Sequence, residues 1–166
     1  MIKTNGRKII PVLAILWMMV IFMFSAQPAD ESTETSLFIG QMVETVCVPG
    51  FVDFSSEEKR VMAENIDFFV RKTAHAAEYA VLGLLLSLSA GELLELSFFE
   101  RQRIAYVFGT VYAATDEFHQ LFVPGRAGMV RDVILDSAGV LAGVMSVYAF
   151  KRITGKRSSR RRLSVA

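Results

Sequence analysis

The chain of 166 residues is 52% hydrophobic, with 13 Phe, 8 Met and a mean hydropathy of +0.39, yet 21% of it is charged. That length suits one ordinary domain, but so apolar a chain must keep its charges apart from its apolar stretches, as multi-span membrane proteins do, and the composition excludes disordered, collagen-like and coiled-coil chains. The formal net charge of +1 is uninformative, because residues 151–166 carry Lys151, Arg152, Lys156, Arg157, Arg160, Arg161 and Arg162 with no acid.

Taken in chain order, a short basic segment, 1–8, with Lys3, Arg7 and Lys8, precedes a first apolar stretch at 9–26. Basic residues before an apolar run also describe a signal peptide, whose removal would leave three spans. The small-x-small requirement is poorly met near Phe24-Ser25-Ala26, however, and the run exceeds the usual apolar core of such peptides, so a retained span is expected. An acid-rich connection, 27–72, follows. Its apolar spacing (Phe38, Met42, Val43 and Val46, then Met62, Ile66 and Phe69) predicts two short amphipathic helices broken at Pro49-Gly50. They either lie on a bilayer surface or pack on the bundle as an ordinary helical loop. The single cysteine, Cys47, cannot form an intramolecular disulfide and reads as a small hydrophobe.

Three more stretches have the length to cross a bilayer, at 73–90, 104–123 and 133–150, taking about 17–20 residues as the requirement. The last is nearly free of charge. The second contains His75 and Glu78, and the third is apolar only over 104–115 before it meets Asp116-Glu117-Phe118-His119-Gln120. The prediction is therefore an all-α, four-helix integral membrane bundle spanning 9–150, with a basic cytoplasmic tail at 151–166. The basic residues at both ends place both termini in the cytoplasm and the 27–72 connection outside.

With that topology the second span runs inward and carries His75 and Glu78 about one and two turns below its outer end. The third runs outward and brings Asp116, Glu117, His119 and Gln120 to its outer third. The fourth runs inward with Asp132 at the boundary and Asp136 one turn deeper, and the first ends outside at Ser25 and Gln27. Four helices thus deliver polar side chains to one depth, although that agreement was no input to the orientation.

Spacing then assigns faces: His75 and Glu78 are i, i+3; Asp116, His119 and Gln120 are i, i+3, i+4; Asp132 and Asp136 are i, i+4. On the fourth span the stripe continues as Gly139 and Gly143, a small-xxx-small pair that admits a close neighbour. An Asp at a span centre costs about 2.5–3.5 kcal/mol to insert, so ionisable groups there read as functional by default. Purely structural glue is the competing explanation, but interhelical hydrogen bonds in membranes average only about 0.6 kcal/mol.

Three phrases carry a resemblance: Phe24-Ser25-Ala26-Gln27; Arg71-Lys72-Thr73-Ala74-His75-Ala76-Ala77-Glu78-Tyr79; and the run from Thr115 to Arg126, followed by Asp132 and Gly139. Together they resemble the VanZ-like family over essentially the whole chain. The resemblance implies a small bacterial multi-span membrane protein and a link to the cell envelope and to low-level resistance to the glycopeptide teicoplanin. It supplies no biochemical activity. It marks Ser25, Gln27, Lys72, His75, Glu78, Tyr79, Asp116, Glu117, Gln120, Arg126, Asp132 and Gly139 as matching positions. Met129 and Asp136 depart from the pattern, standing where a small polar residue and Asn are expected.

Several chemistries fit these residues. A hydrolase or transferase working on a lipid-linked or phosphate-bearing head group would draw its acid, base and orienting groups from His75, Glu78, Asp116, Glu117 and Asp132, and bind substrate with Gln27, Lys72, Gln120 and Arg126. The Pro124-Gly125-Arg126-Ala127-Gly128 turn, with Arg126 and Arg131, suits a phosphate or carboxylate, or is an ordinary turn with an interfacial Arg. His75, Glu78, Asp116 and His119 are weak metal candidates, as no His-Glu-x-x-His motif accompanies them. A protein that binds an envelope lipid or a glycopeptide without turnover asks less of the geometry. No nucleophile elbow or P-loop occurs, and nucleic acid is not an expected partner because the basic tail has no aromatic-interleaved surface beside it. The lipid bilayer itself is the expected partner, while cofactor and oligomeric state are left undefined by the sequence.

Overall fold

The computed structural model describes residues 9–163, with side chains described as far as Thr154. Lys3, Arg7 and Lys8, and the side chains of the basic residues beyond Thr154, lie outside that range. Secondary structure among the described residues is helical throughout: α1 (Ile9–Ser25), α2 (Ala29–Cys47), a 3-10 turn (Phe51–Asp53), α3 (Ser56–Leu93), α4 (Phe98–Gln120) and α5 (Val130–Leu163). The stretches 9–26, 73–90, 104–123 and 133–150 fall on α1, α3, α4 and α5 respectively.

Two features differ from the sequence reading. The second short helix expected in 27–72 is not a separate element but the first turns of α3, which runs for 38 residues. No Pro or Gly stands between Ser56 and Leu82 to interrupt it. Likewise 151–166 is not a distinct tail at its start, since α5 stays helical to Leu163.

Helix starts follow local chemistry. Ser55 caps α3 and Ser97 caps α4, each in a reciprocal box with the Glu three residues on: Ser55 N donates to Glu58 Oε2 at 2.8 Å and Ser97 N to Glu100 Oε2 at 2.9 Å. Those hydrogen bonds hold the exposed Glu58 and Glu100 carboxyls below their ordinary range. α2 leaves α1 at Gln27-Pro28 with a 107° bend, and it ends before Pro49-Gly50, where Gly50 takes φ 77°.

α3 is the central helix, packed against α1, α2, α4 and α5. Its seam with α5 is the closest in the molecule. A Cβ at Gly139 would run into the Ala76 carbonyl, one at Gly143 into the Ala80 carbonyl, and one at Gly83 into the Val140 carbonyl, so only glycine lets the two backbones touch. Tyr79, Leu82, Ala113, Val140 and Val144 form the apolar core around that seam. Trp17 donates to the Glu78 carbonyl at 2.9 Å and Tyr112 to the Met18 carbonyl at 2.7 Å, which ties α1 to α3 and α4.

Outside this thin core the helices expose apolar side chains along their length, among them Ile15 and Met23 on α1, Val107 and Val111 on α4, and Ile134 and Met145 on α5. Such a belt is more than a soluble monomer exposes. By length and apolarity α3 and the Val130–Thr154 portion of α5 can cross a membrane, and α1 with α2 forms a third candidate if the bent pair is one element. α4 carries Glu100, Arg101 and Arg103 at its start and Asp116 and Glu117 near its end, which lowers its apolarity.

α2 packs on α3 by one face only. Its face against α3 is small and polar, built from Ser36, Gly40 and Glu44, with the Ser36 hydroxyl donating to Asp67 and Gly40 against Ala63. Phe38, Met42 and Val46 point away, Val46 being 86% exposed. The apolar side of this helix does not pack on the bundle.

Candidate functional site

The polar residues of four helices meet at one end of the bundle. α3 contributes Lys72, His75 and Glu78, successive i, i+3 neighbours that fan across one side of the helix. α4 delivers Asp116, Glu117 and Gln120 in its last turns, all buried. Asp132 and Asp136 come from the first two turns of α5, and Ser25 closes α1.

Two cavities lie among them. The first, about 200 Å³, is bordered by Lys72, His75, Glu117, Gln120, Asp132 and Asp136, together with Arg126 and Arg131 of the connecting turn. The second, about 160 Å³, lies toward α1 and α2 and is bordered by Phe24, Gln27, Ile39, Val70 and Glu78 among others. Arg71, His75, Arg126 and Ser32 border both, so these residues form the partition between them.

The walls are held by specific bonds. Lys72 Nζ pairs with Asp132 Oδ2 at 2.5 Å, joining α3 to α5, while Arg131 Nε stands 3.8 Å from the other oxygen of Asp132. Glu117 accepts from the Met129 amide at 2.9 Å and from Gln120 Nε2 at 3.1 Å, which fixes the α4–α5 turn against the end of α4. Gly128 is needed there, because a Cβ would strike the Glu117 carbonyl. Arg71 pairs with Asp67 at 2.8 Å and donates to Thr33 Oγ1 at 3.3 Å.

Arg126 is bound differently. Its guanidinium donates to two backbone carbonyls at the end of α1, Gln27 O at 3.1 Å and Phe24 O at 3.2 Å, capping that helix from a position 99 residues further along the chain. The Ala29 amide donates to the Pro124 carbonyl at 3.2 Å beside it, and Gly125 holds φ 73° with Ala29 packed against it. Among the described residues no carboxylate comes within ion-pairing distance of Arg126. Burial and the neighbouring Arg71 both push its guanidinium below its ordinary value.

Several buried polar atoms in this region have no hydrogen-bond partner: His75 Nδ1, Asp116 Oδ1, Ser25 Oγ, Tyr79 Oη and both carboxyl oxygens of Asp136. Ser25, Tyr79 and Gln120 all face the Asp116 carboxyl, but only the Gln120 amide is bonded to it, at 3.4 Å. Buried polar groups are ordinarily paired, so this concentration marks the region as one that a ligand or water completes.

Of the residues singled out in the sequence, Lys72, His75, Glu117, Gln120, Arg126 and Asp132 border the first cavity, and Gln27 and Glu78 border the second. Asp116 is buried behind both. His119 is not with them: its ring stacks on Phe22, centroids 4.6 Å apart, and Glu117 rather than His119 shares the inner face with Asp116 and Gln120. The weak metal set His75, Glu78, Asp116 and His119 is accordingly not gathered, and no three His, Cys, Asp or Glu side chains among the described residues are arranged to hold a metal ion. Sequence reasoning missed Arg71 and Ser32 as part of the partition. Arg71 stands at i−4 from His75, a spacing that would have found it.

An all-helical chain with an apolar belt and a polar pocket at one end of its bundle belongs to the class of helical membrane proteins. The VanZ/LLP1 family matches residues 11–151, and the chain belongs to that family. No curated protein and no solved structure matches it.

Proposed function

We propose that this is a multi-pass protein of the bacterial cytoplasmic membrane, with four spans and both termini cytoplasmic, that acts through the paired cavities at the outer face. The process it serves is cell-envelope maintenance, including resistance to glycopeptides such as teicoplanin, as the family's namesake is associated with. The observation that carries this reading is the convergence of charged side chains from α3, α4, α5 and the α4–α5 turn around the first cavity, at the end of the bundle that the basic residues assign to the outside. In this arrangement the exposed apolar side of α2 rests on the outer leaflet.

The test is deletion of the gene and complementation with wild type or His75→Ala. Deletion raises teicoplanin susceptibility and alters envelope lipids, wild type restores both, and His75→Ala inserts normally but restores neither. Unchanged susceptibility and lipids on deletion would remove the envelope reading. Topology has its own probe: Cys47 is exposed, so a membrane-impermeant maleimide labels it in intact cells if 27–72 is outside.

A second reading, a membrane-embedded hydrolase or transferase acting on a lipid-linked or phosphate-bearing head group, is favoured by one observation. His75 Nδ1 is unpartnered and His75 borders both cavities, which supports a role as a base there. Release of a soluble head-group product by the purified protein separates it from binding alone.

A further inference from the structure

Two charged groups that border the first cavity, Arg126 and Asp136, have no ion-pair partner among the described residues. Burial and Arg71 lower the pKa of the Arg126 guanidinium, and the two arginines border both cavities together with His75. Two guanidinium groups side by side repel unless an anion lies between them, and a planar donor fork is suited to phosphate or carboxylate oxygens. Arg71 is paired with Asp67, whereas Arg126 uses two of its five N–H donors on backbone carbonyls and has no carboxylate within ion-pairing distance among the described residues.

Asp136 lies in the opposite situation. It is 1% exposed and both its oxygens lack a hydrogen-bond partner. Lys72 is already committed to Asp132 at 2.5 Å. The cavity therefore borders a guanidinium with unused donors, Arg126, and a buried carboxyl with no donor, Asp136.

We propose that the cavity binds a dipolar ligand, the phosphoethanolamine head group of a membrane phospholipid, with the phosphate at Arg126 and Arg71 beside His75 Nδ1 and the primary ammonium at Asp136 and Glu117. A volume of about 200 Å³ is that of roughly six waters at about 30 Å³ each, which admits a head group of about eight non-hydrogen atoms. The second cavity, beyond the partition, is bordered by Phe24, Ile39 and Val70, and it gives the first carbons of the acyl chains an apolar exit. An ammonium can donate three hydrogen bonds to the unpaired carboxyl oxygens, whereas a choline trimethylammonium can donate none and a glycerol head group brings no charge.

This inference rests on the proposed site and assigns its ligand. The test is native mass spectrometry of the full chain released from detergent micelles, with phosphatidylethanolamine, phosphatidylglycerol and phosphatidylcholine of matched acyl chains added in turn. Wild type retains phosphatidylethanolamine at least about tenfold more strongly than the other two, the scale of one charge-assisted hydrogen bond. Asp136→Asn, nearly isosteric, abolishes that preference while leaving phosphatidylglycerol binding unchanged. Arg71→Gln and Arg126→Lys weaken all three lipids alike, and helical circular dichroism with a thermal melt verifies that each variant is folded.

Equal retention of the three lipids by wild type, or an intact preference in Asp136→Asn, would overturn the proposal. Competition by soluble O-phosphoethanolamine at the same concentrations as the lipid would overturn the lipid source. If the lipid assay fails while His75→Ala still fails to complement, the site stands and only this ligand assignment falls.

Discussion

α3 and α5 meet in two different ways within a few turns of each other. At Gly83, Gly139 and Gly143 their backbones touch and nothing fits between them. Closer to the start of α5 the same two helices are joined by Lys72 and Asp132 and border a cavity. The seam is specified by what is missing, side-chain volume, and the cavity by what is present, charge. A close-packed seam has one solution, so it holds α5 in a fixed register and thereby sets the width of the cavity above it.

Four substitutions probe that division. Gly143→Val has the largest expected effect, because the added side chain meets the Ala80 carbonyl and the Leu84 amide rather than a flexible group; a loss of about 3 kcal/mol, the upper end for overpacking, lowers the melting temperature of the purified protein and its cavity function together. Lys72→Met leaves Asp132 with only the longer contact to Arg131. At 26% and 14% side-chain exposure the pair is partly screened, so the expected loss is about 1–2 kcal/mol rather than the full cost of a buried pair, and Lys72→Met combined with Asp132→Asn recovers most of it.

Ser97→Ala, at the far end of the bundle, removes the α4 cap for about 1 kcal/mol and leaves complementation intact, which separates a general loss of stability from a loss of the site. Asp136→Leu is the sharpest of the four. Replacing an unpartnered buried carboxyl by an apolar group of similar volume is neutral to stabilising by about 1 kcal/mol, yet complementation is lost. A melting temperature that falls steeply in Asp136→Leu would mean that the carboxyl is structural and that the cavity is merely a gap in the packing.

The seam was half legible in the sequence and the partition hardly at all. Gly139 and Gly143 announce themselves by four-residue spacing, while Gly83 is a lone glycine in an apolar run and shows its purpose only when Val140 is seen against it. The common depth of His75, Glu78, Asp116 and Asp136 followed from counting turns. What periodicity could not give was anything that joins distant segments: the 107° bend between α1 and α2, the reach of Arg126 back to Phe24 and Gln27, and the stacking of His119 on Phe22. The unbroken α3 was misread for a different reason, since an acid-rich, surface-like pattern hands over to an apolar one at Lys72 without any change of backbone.

The bond between Arg126 and the end of α1 bears on how the protein is made. The last carbonyls of the first helix are capped by a residue synthesised about a hundred positions later, and the Ala29 amide likewise waits for Pro124. Assembly of this end of the bundle is thus non-local, the kind of contact that forms late. A nascent chain halted before Arg126 already carries α1 to α4 but lacks the partition, and one halted before Asp136 lacks the acidic wall. The pocket is complete only once α5, the final helix, is in place.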